Sequence, residues 1–286
     1  MKDLSETTKQ GSITYAWYVV GLLTLANISS FLDRQILALL IVPIKRDLHL
    51  SDTKVSLLMG LSFALFYTLF GVIISRLADS TNRRNVIMGG IAMWSLFTAL
   101  CAGVKNYSQF FLARMGVGVG EATLSPSAYS MISDYFPKRK LGMALSIFSA
   151  GIFLGSGLAL IIGSTLVASL PQEGRVVVPL FGEIYHWQKL FLLIGLPGFV
   201  ISLLLFTVKE PLRKGILRIG NTQEKKLPLR EAFKIVFAHP KTFLGICIGT
   251  AFTAIVTYGC TAWIPTYFYR TFEWPVPKTG FIFGLV

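Results

Sequence analysis

Seven long apolar segments constrain this chain more than any other feature of its sequence. A helix needs about 20 consecutive apolar residues to cross the hydrocarbon layer of a bilayer. The segments that reach this length lie at 16–44, 53–77, 85–104, 107–135, 141–169, 188–208 and 241–268. An eighth segment begins at Thr279, close to the last residue, Val286. We therefore predict an all-α membrane protein.

The amino-acid composition supports a membrane location and excludes one class of function. Hydrophobic residues make up 53% of the 286 positions and charged residues only 14%, whereas soluble proteins carry about 25% charged residues. A net charge of +13 could indicate binding to nucleic acid. The basic residues, however, lie in short loops between apolar segments rather than on one soluble face. We expect contact with the lipid bilayer and none with nucleic acid.

Lys and Arg residues also predict how the chain crosses the membrane. If the N-terminus lies in the cytoplasm, 17 of the 27 Lys and Arg residues fall in inner segments and 8 in outer segments. The remaining two, Arg34 and Arg114, lie within apolar segments. Because inner loops of membrane proteins carry the excess of positive charge, we predict a multi-pass protein with a cytoplasmic N-terminus. The short loops favour the cell inner membrane (plasma membrane) of a bacterium.

The spacing of the apolar segments divides the chain into four regions. Residues 1–15 form a cytoplasmic tail, 16–208 a six-helix transmembrane bundle, 209–240 a basic cytoplasmic linker, and 241–286 an incomplete second bundle. Apolar residues at helical spacing in the linker predict an amphipathic helix at the membrane surface; they are Leu229, Ala232, Phe233, Val236 and Phe237. A plain soluble linker is the alternative.

Charged residues stand inside two of the apolar segments. The first contains FLDRQ, with Asp33 and Arg34, and the fourth contains RMGVGVGEA, with Arg114 and Glu121. Each charge in a bilayer core costs about 2.5–3.5 kcal/mol on insertion scales. Seven residues are close to two helical turns, so Arg114 and Glu121 project from one face, about 10 Å apart along the axis. Some interaction within the protein must therefore offset the cost of placing these charges in the membrane.

Four stretches of the chain resemble a known family. They are FLDRQ at 31–35, GVIISRLADSTNRR at 71–84, RMGVGVGEA at 114–122 and GIFLGSGLALIIG at 151–163. Together they are similar to motifs of major facilitator superfamily transporters, and within these to the spinster-like family. The resemblance implies the superfamily's N-terminal six-helix bundle plus the start of a second bundle. It also implies secondary active transport by alternating access, with the first and fourth helices facing a central cavity.

The resemblance implies a role in proton coupling for the intramembrane charges. Asp33 and Glu121 would be proton acceptors, with Arg34 and Arg114 as their charge partners. A carboxylate that loses an arginine partner in an apolar setting gains affinity for a proton, so such an acid can load a proton on one side and release it on the other. The alternative is a permanent ion-pair network that only fixes helix packing.

The loop motif after the second segment predicts a gate. Asp79, Arg83 and Arg84 match the superfamily's motif, which latches the two bundles in one state. Ser75 stands where a glycine is usual and Ser80 where a basic residue is usual, so we expect a weaker latch. The alternative is that these charges only set the topology.

Six glycines are predicted to serve helix packing. No strand precedes Gly116, Gly118 and Gly120, so a dinucleotide-binding loop is disfavoured. In a membrane helix, glycines let a neighbouring backbone approach closely. Gly151, Gly155 and Gly163 form a similar stripe of small residues along the fifth segment.

The spinster resemblance implies amphipathic, lipid-like substrates such as lysophospholipids or sphingoid derivatives. Small organic anions held by Arg34 and Arg114 are the alternative substrate class. The sequence contains no nucleophile elbow, phosphate-binding loop or metal-ligand set. We therefore expect no enzymatic activity, no cofactor and no bound metal, and we expect a monomer.

A different class of protein also remains open. Alternating access needs both bundles around a central site, and the eighth segment stops at Val286. The second hypothesis is therefore a truncated membrane protein that does not transport. A membrane blot distinguishes the two, because a native band at the mass of this chain would favour the truncated product.

Overall fold

The computed structural model describes residues 12–171, 174–213, 238 and 240–285. These ranges contain eleven α-helices and one antiparallel β-hairpin. The helices are α1 (Ile13–Leu39), α2 (Ile41–Leu48), α3 (Asp52–Met59), α4 (Leu61–Ser80), α5 (Arg83–Leu100), α6 (Tyr107–Glu121), α7 (Leu124–Tyr135), α8 (Lys138–Ser169), α9 (Lys189–Leu204), α10 (Pro240–Phe272) and α11 (Val276–Leu285), and the strands are β1 (Arg175–Val178) and β2 (Gly182–Tyr185). Residues 1–11 of the predicted tail and the predicted amphipathic helix at 229–237 lie outside the described residues.

Six helical stretches of the described ranges are long and apolar enough to cross a membrane, judged by length and composition. They are Ile13–Leu39, Asp52–Ser80, Arg83–Gly103, Lys138–Ser169, His186–Thr207 and Pro240–Phe272. Each overlaps a predicted segment, and the protein is mostly helical as expected. The predicted segment at 107–135 is absent from this set because it forms two shorter helices, α6 and α7. The eighth segment begins at Val276, three residues before the predicted start.

Three of the predicted segments are interrupted, and proline explains two of the breaks. Pro43 has no N–H to donate to the carbonyl four residues earlier, and α1 ends there, at Leu39. Pro126 likewise cannot bond to the carbonyl of Ala122, which separates α6 from α7. The third break, between α3 and α4, falls at Gly60. These breaks shorten the helices without changing their order along the chain.

The helices pack around two apolar clusters, one toward each end of the bundle. One cluster includes Leu23 and Trp94, and the other includes Ile36 and Phe191. Helix α1 packs along α8, while α5 packs between α6 and α9. Helix α11 packs against α8 as well. About half of the residues of α1 are thus buried against its neighbours, and Asp33 is among them.

We name the two ends of the bundle by their contacts. The N-terminal end holds the start of α1 and the end of α9, joined by the hydrogen bond from Tyr15 to the carbonyl of Thr207 (2.9 Å). The opposite end carries the β-hairpin, which sequence analysis missed, and is called the hairpin end. There, Trp187 Nε1 donates to Asp47 Oδ2 (2.9 Å), which ties the connection after the hairpin to α2.

The glycines of α6 lie against neighbouring backbones. A Cβ built on Gly118 would lie 2.7 Å from the carbonyl oxygen of Phe63 on α4. A Cβ on Gly120 would lie 2.6 Å from the amide nitrogen of Trp94 on α5. Gly116 faces the ring of Phe97, also on α5. Helix α6 therefore has no room for a side chain on either flank.

The glycines of α8 lie against α1. A Cβ on Gly151 would lie 3.1 Å from the carbonyl oxygen of Thr24, and one on Gly155 would lie 2.6 Å from that of Ile28. Gly163 meets the side chain of Ile36. The contact between α1 and α8 is thus close along three turns or more of α1.

Gly120→Ala is expected to destabilise the protein by about 1–3 kcal/mol, because the new methyl group would overlap backbone atoms of α5 that cannot move independently. Gly142→Ala is the matched control, since a Cβ there meets nothing within 4 Å. Thermal unfolding in detergent should show a lower melting temperature for Gly120→Ala only. Equal melting temperatures for the two variants would contradict the close approach of α6 to α5.

Candidate functional site

The four predicted intramembrane charges lie together between α1 and α6. Arg34 Nε lies 2.6 Å from Glu121 Oε2, and Arg114 Nη1 lies 3.5 Å from Asp33 Oδ1. Each helix contributes one acid and one base, and each base pairs with the acid of the other helix. The ion pairs therefore cross between the helices rather than joining neighbours in sequence.

Three of these charges are buried in the bundle, whereas the side chain of Arg34 is 17% exposed. Asp33 is 2% exposed, and Arg114 and Glu121 are each 1% exposed. Removing charges from water costs several kcal/mol per ion, and the attraction between partners offsets this only when the remaining polar atoms are also satisfied. The polar groups around each carboxylate therefore matter as much as the ion pairs.

Two hydroxyl groups complete the carboxylate contacts. Ser30 Oγ donates to Glu121 Oε2 (2.6 Å), so this oxygen accepts from both Ser30 and Arg34. Thr98 Oγ1 donates to Asp33 Oδ2 (2.5 Å) from α5. Sequence analysis did not identify Thr98, because a threonine in an apolar segment belongs to no motif.

The two acids are satisfied unequally. Both oxygens of Asp33 have partners, whereas Glu121 Oε1 has no hydrogen-bond partner among the described residues. Arg114 Nε is likewise without a hydrogen-bond partner in the described part of the chain. Among the described residues, the cluster thus has a fully buried acceptor and a fully buried donor without partners; a water molecule could bond to either, and a proton could bind only to the carboxylate oxygen.

Aromatic rings surround the guanidinium group of Arg34. Its central carbon lies 4.4 Å from the ring centroid of Phe63, 4.7 Å from that of Phe31 and 5.0 Å from that of Tyr67. Ring faces attract cations electrostatically, and more strongly where water is excluded. This aromatic setting, which the sequence motifs did not predict, stabilises the positive charge beyond its ion pair.

The arginines face a cavity of about 520 Å³ between α1, α3, α4, α6 and α10. Arg34 and Arg114 line it, while Tyr258 and Trp263 of α10 contribute to its wall. Asp33 and Glu121 do not line the cavity and lie behind the arginines. The site therefore presents positive charge and aromatic surface to anything that enters.

The predicted gate residues Asp79, Arg83 and Arg84 lie at the N-terminal end, and their gating role stays a prediction. The buried Arg83 pairs with Asp134 (2.6 Å) and with Glu210 (2.7 Å). The backbone amide of Arg84 donates to Glu210 Oε2 (3.1 Å). Arg83 therefore joins the start of α5 to the end of α7 and to the segment that follows α9.

Asp79 contributes its backbone instead. Arg213 donates to the carbonyl oxygen of Asp79 and, at 2.8 Å and 2.7 Å, to those of Ala78 and Thr81. This guanidinium group satisfies carbonyl groups that the C-terminus of α4 leaves unbonded. The segment after α9, which contains Glu210 and Arg213, therefore holds the loop between α4 and α5 from both sides.

Long apolar helices around a charged central cavity define a polytopic membrane carrier. The family model of the Major Facilitator Superfamily matches residues 23–286. The chain belongs to this superfamily, whose members are secondary transporters rather than enzymes, and it is similar to spinster proteins.

Three relatives illustrate the similarity. An MFS-type efflux pump of Mycolicibacterium smegmatis is 28% identical over 94% of this chain and 58% of the relative. Protein spinster homolog 1 of Xenopus tropicalis is 30% identical over 88% of this chain and 46% of the relative. The crystal structure of a bacterial homologue of the human lysosomal transporter spinster, in an inward-facing and unoccupied conformation, has a TM-score of 0.78 and 30% identity, covering 96% of this chain and 60% of that one. The chain thus spans about half the length of the relatives it matches.

Glu121→Leu is expected to destabilise the protein by about 3 kcal/mol, because the largely desolvated guanidinium group of Arg34 would lose its carboxylate partner. The double variant Arg34→Leu with Glu121→Leu should lose less stability than the single variant, since it leaves no unpaired charge. Unfolding in mixed micelles measures the free energies. A double variant whose loss equals the sum of the two single losses would show that the pair does not interact.

Proposed function

We propose that the protein is a proton-coupled secondary active transporter that works by alternating access on amphipathic, lipid-like substrates such as lysophospholipids or sphingoid derivatives. The observation that carries this proposal is the crossed cluster of Asp33, Arg34, Arg114 and Glu121, in which the bases face a cavity and the acids lie behind them. A packing role alone would not require the arginines to line a cavity.

Proton transfer to this cluster would change what the cavity presents. When Glu121 binds a proton, its attraction to Arg34 is lost, and the guanidinium group is free to bind an anionic group in the cavity. A proton on Asp33 would weaken its attraction to Arg114 in the same way. A proton and a substrate would thus act on the same ion pairs, which is the physical basis of coupling.

Contacts between the helices α1–α9 and the pair α10–α11 support a conformation open at the N-terminal end. At the hairpin end, Nη2 and Nη1 of Arg270 donate to the two carboxylate oxygens of Asp52 (2.9 and 3.2 Å). Residues 240–260 of α10, nearer the N-terminal end, are exposed, whereas Pro265 and Thr266 are buried. With the N-terminus on the cytoplasmic side of the cell inner membrane, this conformation is inward-facing.

The composition of the cavity supports an amphipathic substrate. Arg34 and Arg114 suit an anionic head group, while Phe31, Phe63 and Trp263 suit an apolar chain. A second candidate is a small organic anion, favoured by the presence of two guanidinium groups in one cavity. Competition between lysophosphatidic acid and gluconate for binding to the purified protein distinguishes the two classes.

Asp33→Asn and Glu121→Gln are each expected to remove the uptake of fluorescent lysophosphatidic acid that an imposed pH gradient drives into proteoliposomes, because neither amide can bind the coupling proton. Glu183→Gln is the control, since this carboxylate lies on the exposed hairpin. Gradient-driven uptake that persists unchanged in both Asp33→Asn and Glu121→Gln would refute proton coupling through these acids.

Asp52→Asn is expected to favour opening at the hairpin end, since it weakens the contact with Arg270. An exposed ion pair contributes about 0–1 kcal/mol. The population of molecules open at the hairpin end should therefore rise by up to about fivefold. Labelling of Thr266→Cys by a membrane-impermeant thiol reagent, in a background without the native cysteines, measures this change. Labelling that stays the same as in the Glu183→Gln control would exclude the pair as a latch.

A further inference from the structure

The hydroxyl group of Thr98 bonds across the bundle instead of within its own helix. Several buried or helical hydroxyls in the structure donate to the carbonyl four residues earlier, among them Thr24 (2.8 Å), Ser62 (2.6 Å) and Thr261 (2.7 Å). That local bond is the common one for hydroxyls in membrane helices. Thr98 Oγ1 instead donates to Asp33 Oδ2 at 2.5 Å. Its side chain is therefore oriented by the carboxylate.

This hydrogen bond is the shorter of the two contacts that Asp33 makes. Arg114 reaches the other carboxylate oxygen at 3.5 Å. Thr98 and Asp33 are 1% and 2% exposed, so water does not compete with the hydroxyl. The position of the Asp33 carboxylate is thus set more tightly by Thr98 than by its ion-pair partner.

The helix that carries Thr98 is held on its far side by α9. A Cβ on Gly195 would lie 3.0 Å from the carbonyl oxygen of Ser95 and 3.1 Å from the amide nitrogen of Ala99. The turn of α5 that contains Thr98 therefore packs against α9 without intervening side chains at this point. Because the backbone of α5 is constrained at this turn, the Thr98 hydroxyl can hold the Asp33 carboxylate in one position.

We propose that Thr98 is a positioning residue of the coupling site, which holds the Asp33 carboxylate ionised and in contact with Arg114. This inference rests on the proposed function. The other titratable and charged groups around Asp33 are Arg34 on its own helix, Arg114 and Glu121 on α6, and the Cys101 thiol after α5. A donated hydrogen bond favours a charged carboxylate over its protonated form, so Thr98 sets how acidic the medium must be before Asp33 releases Arg114.

Infrared difference spectra of the purified protein, recorded across a pH titration, test this inference without any substrate. The carbonyl-stretch band that Asp33→Asn removes identifies the protonated form of Asp33. In Thr98→Val, which keeps the shape of the side chain, this band should appear at a pH about one unit higher than in the unmodified protein, as expected for the loss of a hydrogen bond to a charged group. Thr98→Ser should restore the original midpoint.

Thr24→Val is the matched control, because it removes a hydroxyl from α1 that bonds only to its own helix. It should leave the midpoint unchanged. The inference is overturned by an equal midpoint in Thr98→Val and the unmodified protein, by Thr98→Ser behaving like Thr98→Val, or by the absence of an Asp33 band in both. A band that appears only in Thr98→Val supports it.

The infrared result is independent of the transport assay. A shifted midpoint of the Asp33 band in Thr98→Val, together with uptake that does not depend on the pH gradient, would refute the proposed function. It would leave the role of Thr98 intact. Gradient-driven uptake together with an unshifted band would refute only the role of Thr98.

Discussion

The structure depends on neutralising four charges in a medium that cannot solvate them. Asp33 and Arg34 are adjacent on α1, and their side chains point about 100° apart around the helix axis. The two side chains therefore contact different partners. Arg114 and Glu121 lie two turns apart on α6 and offer one partner to each. The long side chain of Arg34 reaches Glu121, and that of Arg114 reaches back to Asp33. Crossed pairing is thus the arrangement that leaves none of the four charges alone.

The packing of α6 makes this pairing possible. The residues between Arg114 and Glu121 include Gly116, Gly118 and Gly120, which lie against α4 and α5. Their lack of side chains lets α6 pack closely against α4 and α5, and from there the side chains of Arg114 and Glu121 reach partners on α1. The same approach brings Phe63 of α4 beside the Arg34 guanidinium group. One short stretch of sequence therefore supplies both the charges and the close helix contacts that bury them.

Much of this could be predicted from the sequence, because apolar length and charge spacing are local properties. The helical spans and the meeting of four charges follow from them, with the family resemblance supplying which helices are neighbours. Thr98 and Phe63 could not be identified in this way. The sequence pattern around a hydroxyl or an aromatic ring in an apolar segment is the same whether the side chain faces lipid, a neighbouring helix or a cavity. The partners of Arg83 were missed for a related reason. Asp134 and Glu210 are distant in sequence, and only the packing of α7 and α9 brings them to the loop after α4.

The sum of the charges in the cluster bears on how a substrate and a proton would affect one another. Two acids and two bases give a net charge of zero, which an apolar interior favours. An anionic head group that binds to the cavity-facing arginines would make the site negative, and a proton on Glu121 or Asp33 would return it to neutrality. Each binding event would then strengthen the other by the same factor, because coupling free energies are reciprocal. Glu121 Oε1 has no hydrogen-bond partner among the described residues, so a proton would be added there with the least loss of existing hydrogen bonds.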